Sequence, residues 1–191
     1  MTNPQLEEVK NLVKEKTRKM KDPQHGFLHV QRIAILAEKI VKTLGLENKT
    51  DLNLLLAACF LHDINHTYFP PGFLNYFLEK RRLKKVLPRV LAELTINADE
   101  KKIIEKAIYA HPFSFPFKRL NPNGDLYTKV LQDADTLDFF SEEREISFKK
   151  AAKDFSFYSF LGLLSNWALK YGRNNLSRYL NFPQLAEEPY V

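Results

Sequence analysis

Residues 59 to 66 read CFLHDINH, which sets His62 and Asp63 side by side at the end of the apolar run LNLLLAACFL. Upstream, HGFLH supplies His25 and His29, and downstream QDADTLD supplies Asp133, Asp135 and Asp138. Imidazoles and carboxylates together offer proton transfer or ligation of a divalent cation. At about 100° per residue, His29 shares a helical face with Ile33, Leu36 and Ile40, with His25 four residues earlier and roughly above it. His62 falls in line with Leu55 and Ala58, and Asp63 lies about 100° round from it. Asp135 aligns with Leu131 and less closely with Asp138, whereas Asp133 points the other way beside Lys129 and Leu137. A carboxylate aimed into a core costs on the order of several kcal/mol unless it is paired or bound to a cation. A divalent ion that compensates Asp63 and Asp135 and is also held by two neutral imidazoles has four nitrogen and oxygen ligands whose charge cancels its own. Room for water and one substrate oxygen would remain, as in a catalytic rather than a closed structural site. Hydrogen-bonded core histidines and a helix-end cap at His62-Asp63 are the competing readings, and spacing alone leaves them open.

Those residues need helices to position them. Val30, Ile33, Leu36, Ala37, Ile40, Val41 and Leu44 recur at helical spacing before Gly45, which predicts an amphipathic helix of about 20 residues with a glycine stop. A second helix should start at Thr50 or Asp51 and run through LNLLLAACFLHD to the PPG turn at 70–72; apolar nearly all round, it belongs at the centre. FLNYFLEKRRLKKVL reads as helical up to Pro88, with RVLAELT continuing beyond. Asn97 and Glu100 form a capping box for DEKKIIEKAIYAH, and SFPFKRLNPNG is a loop. A further helix fits DLYTKVLQDADTLDFF, and the aromatic-rich remainder to about Leu180 holds one or two more. Strand-type alternation is scarce. The expected fold is an all-α single-domain bundle of about six to nine helices over residues 1–191.

Composition narrows the function. With 6 glycines in 191 residues and neither GxGxxG nor GxxxxGK[ST], the glycine-rich nucleotide cradles are excluded. The single Cys59 excludes an internal disulfide and points to a reducing cytoplasm. No uncharged run of about 18 residues suggests a membrane span. A net charge of +6 favours anionic partners, whether phosphorylated metabolites, nucleic acid or an acidic membrane surface.

The ordered set H29VQRI, H62D63 after a buried apolar run, and Q132DADTLD resembles the HD-domain superfamily of metal-dependent phosphohydrolases, most closely its small stand-alone hydrolases. The likeness spans about residues 22–140, which leaves 141–191 as a C-terminal helical extension packed on the domain. It implies an all-α fold with His29, His62, Asp63 and Asp135 as the metal set, His29 being the histidine followed by Val and a basic residue. It also implies that His111, in AIYAHPFS, lies near the substrate phosphate or a second metal. His66 has no counterpart and reads as a loop histidine; Asp133 is a candidate partner behind the ligands. The chain departs from the pattern at Ile64-Asn65 and at FFSEEREISFKK, so the substrate-reading wall is altered.

The expected activity is hydrolysis of a phosphate ester or anhydride, with a nucleotide as the favoured substrate and a divalent cation (Mn²⁺, Co²⁺, Ni²⁺, Fe²⁺, Zn²⁺ or Mg²⁺) activating water. Asp63 is a candidate proton acceptor as well as a ligand. Arg32 and His25, with Lys80, Arg81, Arg82, Lys84, Lys85 and Arg89, are candidates to neutralise phosphoryl oxygens, although the 80–89 cluster also reads as an ordinary solvated face. The aromatics of HPFSFPF beside His111 could stack on a base. The C-terminal aromatics and leucines could cap the core or form a homodimer surface. The alternative function is a non-catalytic helical module that binds a nucleotide or nucleic acid.

Overall fold

A computed structural model of the protein describes all residues except 21, 23, 70–72, 112–116, 155, 157, 160–168 and 189–191, and the backbone alone for 73–77. Among the described residues the chain is helical without strands: α1 (Asn3–Thr17), α2 (Phe27–Thr43), α3 (Leu52–Leu61), a 3-10 turn (Ile64–Thr67), α4 (Phe73–Ala92), α5 (Ala98–Ala110), α6 (Leu126–Phe139) and α7 (Glu142–Asp154). Residues 169–174 are helical again, and short 3-10 turns follow at Leu176–Tyr179 and Pro183–Glu187. No described helix is long and apolar enough to cross a membrane.

Each helix forms for a local reason. The stripe Val30, Ile33, Ala34, Ala37, Ile40 and Val41 of α2 is buried. Past its end, Gly45 takes φ +61°, and the amides of Gly45 and Leu46 return to the carbonyls of Lys42 and Val41, the pairing that closes a helix through a left-handed residue. In α3, capped by the Asp51 carboxylate on the Leu54 amide, Leu54, Leu55 and Ala57 to Leu61 are all buried. The Asn97–Glu100 capping box starts α5 and Asp125 caps α6. Pro88 sits inside α4, where the Lys84 carbonyl it cannot serve belongs to an exposed residue that water reaches.

Helix α2 packs on α3 and α6, and α5 closes over α3 and α6 from another side. The three helices that carry the candidate ligands are therefore mutual neighbours. The apolar residues of all three lie in one continuous buried cluster.

Two expectations need correction. Instead of running on toward residue 70, α3 stops at Leu61 and tightens into the 3-10 turn, which buries Ile64 in the core. Such winding has three residues per turn and brings residues three apart onto one side. Helix α1 was unforeseen, and it lies outside the family-like stretch. Its signal is a T-x-x-Q capping box, with Thr2 and Gln5 exchanging bonds and Pro4 in the first turn. The PPG turn and HPFSFPF from Pro112 to Pro116 fall outside the described residues.

Candidate metal centre

Both central histidines of the site are fixed by their Nδ1 atoms. His29, near the start of α2, is buried, and its Nδ1 lies 2.8 Å from Oδ2 of Asp138 on α6. His62 caps the C-terminus of α3, where helix carbonyls lack intrahelical donors, and its Nδ1 meets the Cys59 carbonyl at 2.8 Å. A carbonyl can only accept, so His62 carries its proton on Nδ1 and presents a bare lone pair at Nε2. The Nε2 atoms of His29 and His62 are both buried without a hydrogen bond. Left that way, each costs about 1–3 kcal/mol.

Those nitrogens face carboxylates. Asp63 Oδ2 lies 3.2 Å from His29 Nε2 and 3.4 Å from His62 Nε2, and Asp135 Oδ1 is 3.8 Å from His29 Nε2. Ligand atoms of His29, His62 and Asp135 all fall within 4.8 Å of one another. Lone-pair nitrogens beside carboxylate oxygens with no N–H between them repel, and a divalent cation is the group that reconciles them. The four residues expected from the sequence thus come together, and their chemistry fits a cation with mixed nitrogen and oxygen ligation.

The electrostatics agree. Burial pushes the His62 imidazole down, as it does that of His111, and each ring also opposes a proton on the other or on a histidine nearby. Burial would raise the Asp63 carboxyl, but the imidazoles of His62, His25, His29 and His66 together hold it well below the usual range. Asp135 is raised, by burial and by the Asp63 charge beside it, against the pull of His29. Burial and Arg144 lower His29, yet Asp138 and Asp63 outweigh them and raise it, so a proton and a cation compete for that nitrogen.

Asp138 is the partner that sequence reasoning passed over. Besides His29 it accepts from Arg32, whose Nε is 2.5 Å from Oδ1, and it lies 3.7 Å from Arg144 Nη1. Its carboxyl is held far below the usual range: burial opposes ionisation, but His29, Arg32 and Arg144 prevail. Its spacing of three from Asp135 on one helix was the available signal. Asp133 is not that partner. Its carboxylate accepts from the amides of Asn181 and Phe182 and the side chain of Asn181, tying the C-terminal segment to α6.

The remaining candidates divide. His111 ends α5 with Nδ1 on the Ile108 carbonyl, its ring centroid 5.3 Å from that of His62. Arg32 is directed to Asp138, so it braces His29 rather than pointing at a substrate. His25 is not on α2 but in the turn before Gly26, with Nδ1 on Asp22 and its ring stacked on His66. His66 is therefore drawn into the site region and is no stray loop residue. Of the basic cluster, Lys80, Arg81, Lys84, Lys85 and Arg89 are exposed, while Arg82 stacks 4.3 Å above Phe69. Arg144, in the divergent stretch after α6, is buried and also donates to the Gln24 carbonyl.

Comparison with known proteins adds three findings. The sequence profile of the HD domain matches residues 26–139. A crystal structure described as a predicted HD superfamily hydrolase from an uncultured Thermotogales bacterium superposes with a TM-score of 0.54 at 22% identity, covering 87% of this chain and 92% of that one. No curated protein matches.

Proposed function

The chain belongs to the HD-domain family, and from that premise we propose that it is a metal-dependent phosphohydrolase acting on a small phosphorylated substrate, with a nucleotide as the favoured class. One observation carries this reading: the unpartnered, buried Nε2 atoms of His29 and His62 set against the carboxylates of Asp63 and Asp135. When bound, a divalent cation supplies Lewis-acid activation of water and polarisation of a phosphoryl oxygen.

The chain's own groups do the rest. Asp138 and the Cys59 carbonyl hold His29 and His62 in the orientation that presents Nε2. Asp63 and Asp135 bring the compensating charge. His111 keeps its proton on Nδ1 through the Ile108 carbonyl, which leaves Nε2 free to accept a proton from attacking water and return it to the leaving oxygen. Arg32 and Arg144, both turned to Asp138, contribute through His29. The nucleotide preference rests on the net charge of +6 and on what family resemblance implies; of the aromatic run expected to stack on a base, Phe113 and Phe115 lie outside the described residues.

The test is phosphate release by protein loaded with Mn²⁺ or Co²⁺, across phosphomonoesters and a panel of nucleotides, beside the double substitution His62→Ala with Asp63→Ala. Release that the substitution abolishes supports the reading. Loaded protein that hydrolyses nothing, while binding RNA or DNA in a salt-dependent manner that survives the double substitution, replaces it with a nucleic-acid-binding module.

A further inference from the structure

Asp63 has a second oxygen, and it faces a second group of histidines. While Oδ2 looks toward His29 and His62, Oδ1 lies 3.9 Å from Nε2 of His66, three residues on across the 3-10 turn. One ligand atom each from His25, Asp63 and His66 lies within 4.8 Å of the others. The His25 and His66 rings stack with centroids 3.9 Å apart and planes 14° from parallel.

The support behind this group repeats that behind His29. His25 Nδ1 is 2.6 Å from Asp22 Oδ2, and the same carboxylate is braced by the Gln24 amide and the Tyr158 hydroxyl, each at 2.9 Å. With Nδ1–H given to a carboxylate, Nε2 of His25 keeps its lone pair. His66 is nine-tenths buried, and its Nδ1 has no hydrogen-bond partner. Its Nε2 lies 3.9 Å from both Asp63 Oδ1 and Glu79 Oε1, the latter on α4. Two imidazoles packed face to face are poorly placed to carry charge together, yet two carboxylates converge on their edge. Nitrogen lone pairs and carboxylate oxygens at one edge are a ligand set for a borderline divalent cation.

We infer that His25, His66 and Asp63 form a second divalent-cation site, with the Asp63 carboxylate bridging it to the His29–His62–Asp135 site and Glu79 supplying a further oxygen at its rim. This deepens the metal-centre reading above and rests on it, because Asp63 is shared. It makes the centre binuclear through residues other than His111. Paired cations suit an in-line displacement at phosphorus, where they hold the attacking and the leaving oxygen at once.

The experiment is equilibrium dialysis of the full chain against Mn²⁺, with metal per protein measured by plasma mass spectrometry and the Mn²⁺ electron paramagnetic resonance spectrum recorded beside it. The expected result is two equivalents and an exchange-coupled spectrum in the wild type, with one equivalent and an isolated-ion spectrum in both His25→Gln and His66→Gln. Should either variant fail to fold, His111→Gln decides the matter: two equivalents and the exchange-coupled spectrum retained there support the second site, and their loss overturns it. Saturation at one equivalent that neither substitution changes would overturn the second site alone, and make His66 an imidazolium paired with Asp63 and Glu79. A second equivalent that survives both substitutions overturns it as well. Wild-type protein that takes up no Mn²⁺ removes the second site together with the hydrolase reading, which keeps the two failures distinct.

Discussion

Within two turns of its C-terminal half, helix α6 treats its enclosed carboxylates in opposite ways. At Asp133 the charge meets three N–H donors, from Asn181 and Phe182, at 2.8 to 2.9 Å. Burial still pushes its carboxyl up to about 6, the expense of a deep anion even when well served. Two residues on, Asp135 receives no hydrogen bond among the described residues, and its neighbour is a bare histidine nitrogen at 3.8 Å. Asp138, one turn further, is again fully occupied, by His29 and Arg32. Burial therefore does not mark the candidate ligand on this helix. What marks it is an acceptor that receives no hydrogen bond among the described residues and faces another acceptor.

That contrast can be broken most sharply at Asp135. Asp135→Ala should cut phosphate release by at least about 10³-fold and lower bound metal, while the melting temperature holds or rises because an unserved anion is gone. Loss of fold with metal binding retained would reverse the assignment. Next in size is Asp138→Ala, which strands Arg32 and Arg144 and frees the His29 ring. It should weaken metal binding about 10–100-fold in a competition titration and cost about 3 kcal/mol in urea unfolding. Asp133→Ala should be the mirror image of Asp135→Ala: about 2 kcal/mol of stability by thermal melting, with metal content untouched.

The smallest effect tests the frame rather than the site. Asp125→Ala removes the N-cap of α6 and should cost about 1 kcal/mol at pH 7. Burial would raise the Asp125 carboxyl, but the Thr128 amide and Lys106 lower it. Its folded value lies below its unfolded one, so its contribution is complete above the ordinary carboxylate range and fades as pH falls through the lowered value. The gap between wild type and variant should hold at neutral pH and narrow below about pH 4. A gap unchanged at acid pH would mean that Asp125 acts through shape and not charge.

Much of this was legible in the chain. Periodicity and caps placed α2, α3, α5 and α6, because each pairs an apolar stripe with its own start or stop signal. The four candidate ligands were legible because polar residues interrupted stripes that otherwise asked for leucine. What escaped depended on partners distant in sequence or on a change of winding. Nothing near Arg32 says that its anion is 106 residues away rather than on a substrate. The latch between Asp133 and Asn181 spans 48 residues and has no local mark. His66 read as a loop histidine because no periodicity marks the stretch before the PPG turn, yet the chain there winds at three residues per turn, which is what carries it back toward Asp63.

The anchoring of ring nitrogens by helix carbonyls and a buried aspartate has one more implication. With Cys59, Ile108 and Asp138 gripping His62, His111 and His29 from behind, the histidine cluster is a template cast in advance and not a clasp that its guest must close. Chelators should accordingly strip the protein without melting it: far-ultraviolet circular dichroism stays where it was, and adding the ion back restores activity with no refolding step.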